Sequence, residues 1–219
     1  MTERALREAV IATAREMNAL GINRGKSGNV SARWRSGAFD GFLVTPTGLP
    51  YSQTTPQDIV AVALDGTAHG ARLPSSEWRF HRDLYAARGE TTAIVHTHAP
   101  FATTLACLDR AIPAFHYMIA VAGGDDIRCA PYATFGTQQL SDYALAALEG
   151  RRACLLAHHG MIATGASLAD ALALAVEVEY LAEMYWRALQ IGEPALLSDA
   201  EMRVVIDKFR TYGQPIDPS

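Results

Sequence analysis

The stretch Thr91-Thr92-Ala93-Ile94-Val95-His96-Thr97-His98 carries the pattern that decides how this chain is read. Its β-branched and apolar residues favour an extended strand, and a strand sends alternate side chains to the same face. His96 and His98, two residues apart, therefore aim at one point, where a divalent metal could sit between two imidazoles. Paired histidines also occur as polar residues on a wet sheet face. A third ligand is what separates the two readings.

A second apolar run supplies it: Ala153-Cys154-Leu155-Leu156-Ala157-His158-His159-Gly160. Alternation along a strand puts Leu155, Ala157 and His159 on one face and Leu156 and His158 on the other, so one of the two histidines is expected at the metal. His159 is the choice, because Gly160 lets the backbone come close. Catalytic zinc commonly takes three protein ligands and leaves a position for substrate, which His96, His98 and His159 would satisfy.

Outward from these runs, 219 residues that are 49% hydrophobic and 19% charged suffice for one sizeable core, and one domain over 1–219 is expected. The net charge of -4 comes without a long run of like charge, which argues against nucleic acid or an anionic membrane as partner and for a small-molecule enzyme. The N-terminus lacks a basic stretch followed by an apolar block, and no apolar run reaches the roughly 18 residues of a membrane span, so a cytoplasmic protein is expected. Cys107, Cys129 and Cys154 are odd in number and far apart, and read as reduced, mostly buried structural thiols.

Leu6, Val10, Met17 and Leu20 recur at helical spacing before Gly21. Short strand-like stretches follow at 29–33, 41–45 and 58–64, parted by Ser36-Gly37, Thr47-Gly48 and Asp65-Gly66. Ser75-Ser76 can cap a helix over 77–87, and further helices are predicted at 100–108, 138–148, 167–189 and 198–211. A strand is predicted at 118–122 and a hairpin at 153–164. Many strand connections are too short for crossover helices, so the expected fold is α/β, with αβα layers around a mixed, largely antiparallel central sheet.

Three other features bear on chemistry. Glu77, beside Trp78, is either a general acid/base or a first-turn Glu favoured by the helix dipole. Tyr117 has a phenol able to move a proton, and is otherwise a core aromatic. Gly25-Lys26-Ser27-Gly28-Asn29 and Thr45-Pro46-Thr47-Gly48 are loops of the kind whose amides and hydroxyls hold phosphate. Gly21 to Ser27 nearly matches a nucleotide-binding P-loop, but it is one residue short and runs from helix to strand, so that reading is rejected.

Assembled, these segments resemble the class II aldolase/adducin family. The likeness runs through Gly28-Asn29-Val30-Ser31, Thr45-Pro46-Thr47-Gly48, Pro74-Ser75-Ser76-Glu77-Trp78-Arg79-Phe80-His81, His96-Thr97-His98, His116-Tyr117-Met118-Ile119-Ala120, Ala130-Pro131-Tyr132-Ala133-Thr134-Phe135-Gly136-Thr137, His159-Gly160 and the tail from Lys208 to Gly213. The resemblance implies a zinc ion on His96, His98 and His159, with Mn2+ or Co2+ as alternatives. Glu77 would be the acid/base and an extra ligand when the site is empty. It also implies a phosphate pocket from Asn29, Thr47, Gly48, Ser75 and Ser76, Phe135 and Tyr212 near the aldehyde part of the substrate, and a fourfold homotetramer in which Tyr117 reaches a neighbour's site. Lys26 departs from the pattern, standing where the family's fuculose enzymes have a hydroxyl residue.

The activity so implied is cleavage of a sugar phosphate, a (deoxy)ketose 1-phosphate such as L-fuculose 1-phosphate, into dihydroxyacetone phosphate and an aldehyde, L-lactaldehyde. Zinc would stabilise the ene-diolate as a Lewis acid. Related alternatives are an aldolase for 5-deoxyribulose 1-phosphate or 5-methylthioribulose 1-phosphate and a pentulose-5-phosphate 4-epimerase, whose group carries Asp where Glu77 stands. An adducin-like interaction module would lack the three histidines.

Overall fold

A computed structural model describes residues 1–209; residues 210–219, and with them Thr211 and Tyr212, lie outside the described residues. The chain begins with helix α1 (Glu3–Ala19), strands β1 (Asn29–Ser36) and β2 (Phe39–Val44), a 3-10 turn at Pro56–Asp58, and strands β3 (Val60–Ala63) and β4 (Ala68–His69). Helix α2 (Trp78–Ala87), strand β5 (Ala93–Thr97), helix α3 (Pro100–Ala106), a 3-10 turn (Tyr117–Ala122), strand β6 (Cys129–Ala130) and helix α4 (Gln138–Ala147) follow. Strands β7 (Ala153–Leu156) and β8 (Gly160–Gly165) precede helices α5 (Leu168–Leu189) and α6 (Asp199–Phe209).

The strands form one eight-stranded sheet in the order β4-β3-β2-β1-β5-β8-β7-β6. Among the described residues, only β6 and β7 run parallel; every other neighbouring pair is antiparallel. This is the mixed, largely antiparallel sheet expected from the short connections. Strand β5 lies inside it, between β1 and β8, and all five of its residues are buried. Alternation then divides its side chains. Ala93 and Val95 join the core under α1, α3 and α5, while Ile94 joins the core under α2 and α4, giving helices on both faces. Phe42, fully buried on the α2 side, anchors that second core, and its truncation to Ala costs about 3–5 kcal/mol.

Three local expectations change. Residues 118–122 form a 3-10 turn and not a strand. The buried set Ile119, Ala120 and Ala122 has helical spacing, the His116 ring accepts from the Met118 amide, and Gly123 at φ 93° ends the turn. Helix α2 starts at Trp78, with Glu77 at the capping position before it. Cys107 is exposed, whereas Cys129 is half-buried and Cys154 buried; all three are free thiols. No described helix is long and apolar enough to cross a membrane.

Candidate active site

Antiparallel pairing begins the site. Asn29 on β1 lies directly opposite His96 on β5, so both side chains leave the sheet on the face that carries α2. His98 follows the end of β5. His159 arrives differently from the expected alternation, because β7 ends at Leu156 and residues 157–159 make a tight turn in which His158 has φ 55°. The turn is closed by the His159 amide donating to the Leu156 carbonyl at 3.0 Å. Gly160 permits the approach, since a Cβ there would stand 2.5 Å from the Thr97 carbonyl oxygen and 3.0 Å from the His98 ring.

The three imidazoles form a nearly equilateral triangle, with centroids 5.0 Å (His96–His98), 4.8 Å (His96–His159) and 5.0 Å (His98–His159) apart. One nitrogen from each lies within 4.8 Å of the others. His96 Nδ1 faces the Met161 carbonyl at 2.9 Å. A carbonyl only accepts, so Nδ1 carries the proton and the Nε2 lone pair faces the cluster, which is the tautomer a metal ligand needs. His96 Nε2 and His98 Nε2 are 3.2 Å apart, near the roughly 3.3 Å expected of two nitrogens on one tetrahedral zinc ion.

Glu77 completes the convergence. Its carboxylate is 5% exposed and lies 3.1 Å from both His96 Nε2 and His159 Nε2. Oε2 accepts from the Asn29 amide at 2.9 Å, whereas Oε1 is buried and accepts no hydrogen bond. Three nitrogen lone pairs and an unsatisfied carboxylate oxygen around one point are a donor set that fits a divalent metal. Burial opposes ionisation of Glu77, but positive charge at the His96 and His159 positions outweighs it and holds the carboxyl well below the usual range. Burial first, then His96 and His159, push the His98 imidazole down to about 4.

The cluster floors a cleft of about 370 Å3 whose walls include Ser27, Ser76, Tyr132, Phe135 and His158. The expected phosphate loops gather behind one wall. The Lys26 ammonium donates to the Gly48 carbonyl at 3.1 Å, the Ser75 amide to Thr45 at 3.0 Å, and the Glu77 amide to Ser75 Oγ at 3.3 Å. Gly48, with φ 68°, adopts a left-handed turn that favours glycine. Thr47 and Gly48 are exposed in this turn, Ser75 is buried, and the Asn29 side chain is committed to its neighbours Glu77 and His81.

The structure thus brings together Glu77, His96, His98, His159, Asn29, Ser76 and Phe135. Tyr117 is not with them. It stands 51% exposed beside a separate apolar hollow lined by Met118, Val205, Lys208 and Phe209. Tyr212 falls outside the described residues. Sequence reasoning assigned nothing to Tyr132 and His158 on the cleft wall, or to His81 behind Glu77. The signal for His81 was its helical spacing of four from Glu77.

A family model described as the class II aldolase and adducin N-terminal domain matches residues 8–186. The chain is 59% identical over 209 residues to the 5-methylthioribulose-1-phosphate/5-deoxyribulose-1-phosphate aldolase of Rhodospirillum rubrum, covering 95% of this chain and 93% of that one. It is 49% identical over 218 residues to the L-fuculose phosphate aldolase of Escherichia coli, covering 99% of this chain and all of the relative. A solved structure of an L-fuculose 1-phosphate aldolase superposes with a TM-score of 0.88 at 40% identity, over 94% of this chain and 96% of that one. With its fold, its histidine cluster and these likenesses in agreement, the chain belongs to the class II aldolase family and is a metal-dependent lyase.

Proposed function

We propose that this aldolase cleaves 1-phosphorylated deoxyketoses between C3 and C4, releasing dihydroxyacetone phosphate and an aldehyde. The observation that carries the reading is the meeting of three histidine nitrogens with the buried Glu77 carboxylate at the floor of a cleft whose rim is hydroxyl-rich. A divalent ion, read as zinc, would be held by His96, His98 and His159 and would supply Lewis acidity to the negative charge that develops as the carbon–carbon bond breaks.

The chain's own residues do the rest. Hydroxyls of Ser75 and Ser76, Thr47, the Gly48 amide and Lys26 take the phosphate, and Asn29 orients Glu77. As the C3–C4 bond breaks, its electron pair stays with the C2–C3 fragment and the C4 hydroxyl loses its proton. Tyr117 from a neighbouring copy, as phenolate, accepts that proton, and the Glu77 carboxylate takes up a proton from solvent and delivers it to C3. Tyr117 is exposed and apart from its own cleft, which supports assembly of copies of this chain, read as a homotetramer.

Two substrate classes compete. Identity of 59% to the R. rubrum enzyme, against 49% to the E. coli fuculose enzyme, favours 5-methylthioribulose or 5-deoxyribulose 1-phosphate, with L-fuculose 1-phosphate second. Tyr132 and Phe135 on the cleft wall offer aromatic surface to a methylthio tail. Release of dihydroxyacetone phosphate should be measured across the three ketose 1-phosphates with the zinc-loaded protein, comparing kcat/KM. The highest value is expected for the methylthio or deoxy pentulose; no release from any of the three would overturn the reading.

A further inference from the structure

Behind Glu77 lies a fully buried histidine for which the proposed chemistry has no use. His81 is 0% exposed, tilted against Phe80 with ring centroids 4.5 Å apart and stacked near Phe42 at 6.2 Å. An imidazole in such surroundings must satisfy both nitrogens within the protein. It does: Nε2 meets Asn29 Oδ1 at 2.5 Å, and Nδ1 meets Ser31 Oγ at 2.7 Å. Ser31 Oγ in turn meets the Tyr85 hydroxyl at 2.8 Å, and the other end of Asn29 donates to Glu77 at 2.9 Å.

Elementary spacing produces this chain. Asn29 and Ser31 are alternate residues of β1, about 6.6 Å apart along a strand. Glu77, His81 and Tyr85 are spaced by four, about 6 Å per step along a helix. The two rows therefore run in step where α2 crosses β1, and each helix residue finds a polar partner on the strand. The Arg33 guanidinium, next on the same strand face, lies 5.7 Å from the Tyr85 ring centre and closes the row.

The direction of every proton follows. The carboxylate only accepts, so the Asn29 amide nitrogen faces Glu77 and Oδ1 faces His81. That oxygen only accepts, so His81 carries its proton on Nε2. Burial, with His96 second, pushes His81 down to about 3, so the ring is neutral and Nδ1 is an acceptor. Ser31 must then donate to Nδ1 and accept from Tyr85, whose hydroxyl burial keeps protonated. All the donors point one way, toward Glu77, and such aligned bonds polarise one another.

We infer that His81 is a positioning residue, the centre of a one-directional chain Tyr85–Ser31–His81–Asn29 that sets the orientation of the Glu77 carboxylate. Its effect on turnover rests on the proton-transfer role proposed for Glu77; its hydrogen-bond pattern does not.

Two measurements test it on the metal-loaded, full-length protein. The first is two-bond 1H–15N NMR of ring-labelled histidines, with His81 assigned by its loss in His81→Gln. The Nε2–H tautomer is expected, and an Nδ1–H tautomer would overturn the inference. The second is exchange of the hydroxymethyl protons of dihydroxyacetone phosphate in D2O. His81→Leu should slow exchange roughly 10–100-fold with the metal content per chain unchanged. KM for the ketose should stay within about twofold, so that the loss appears in kcat. His81→Gln, whose Nε2 can still donate to Asn29, should recover most of the rate.

Wild-type exchange in His81→Leu, or a His81→Gln as slow as His81→Leu, would overturn it. If His81→Leu does not fold, Ser31→Ala removes the donor to Nδ1 together with the acceptor for Tyr85, and exchange at the undiminished rate there counts against the chain. If the wild-type protein exchanges no proton of dihydroxyacetone phosphate, the proposed reaction fails, while the tautomer still judges the hydrogen-bond chain.

Discussion

His96 and His81 are both fully buried, yet they sit in opposite kinds of surroundings. His96 has one nitrogen on the Met161 carbonyl and the other turned, lone pair outward, toward two more imidazoles and a carboxylate. His81 has both nitrogens matched to single partners inside a closed row. The first region is unsatisfied by itself and calls for a cation; the second is complete and does nothing but hold its neighbour. Burial alone does not distinguish a ligand from a support. The state of the second nitrogen does.

The largest effect should come from breaking the open side. His96→Ala, or removal of metal by chelation, should lower ketose 1-phosphate cleavage on the order of a thousandfold. Metal analysis should find the His96→Ala protein depleted, and added Zn2+, Mn2+ or Co2+ should restore the chelated wild type but not the variant. Full activity in metal-free protein would erase the distinction between the two histidines.

A middle-sized effect is expected from Gly160→Ala. The new methyl would press on the Thr97 carbonyl and the His98 ring, displacing the third side of the triangle while leaving His81 and its partners untouched. Metal affinity, measured by competition with a chromophoric chelator, should fall on the order of tenfold. Unchanged affinity would mean that the triangle tolerates more movement than its packing suggests.

The smallest effect concerns the closed side and pH. The folded state holds His81 neutral, at about 3 against an ordinary 6.5, so between those values the unfolded chain binds a proton that the folded chain does not. Stability associated with this group is therefore full above about pH 6.5 and declines as the pH falls toward 3. In metal-stripped protein, the fall in Tm between pH 7 and about pH 5 should be shallower for His81→Gln than for wild type. Equal slopes would show that His81 charges as freely folded as unfolded.

The two regions also differed in how far they could be read in advance. His96 and His98 were legible because period two on a strand is a local rule. His159 is the member of its pair that joins the triangle, but the alternation expected to bring it there does not operate. The strand has ended by Leu156, and a left-handed His158 in the turn decides which ring faces the cleft. His81 went unread although its spacing from Glu77 and Tyr85 was plain, because that spacing acquires meaning only when β1 lies beneath α2. The strand expected at 118–122 failed for a related reason: an apolar run that short fits strand or helix, and its packing against α6 and α5 is tertiary.

By itself, then, the sequence determined what local geometry can determine: the layered α/β architecture, the strand that carries His96 and leads into His98, the glycine that admits a third histidine, and a glutamate poised at the start of a helix. Tertiary structure alone decided which of these meet. It placed Asn29 opposite His96, closed the hairpin that turns His159 inward, set α2 across β1 so that two different repeats run in step, and left Tyr117 facing away from its own cleft. The physical reason is range: periodicity and turn chemistry act over a few residues, whereas a metal site and the hydrogen bonds behind it are assembled by strand pairing and packing between segments far apart in the chain, as in the contacts from Glu77 to His159 and from His96 to Met161.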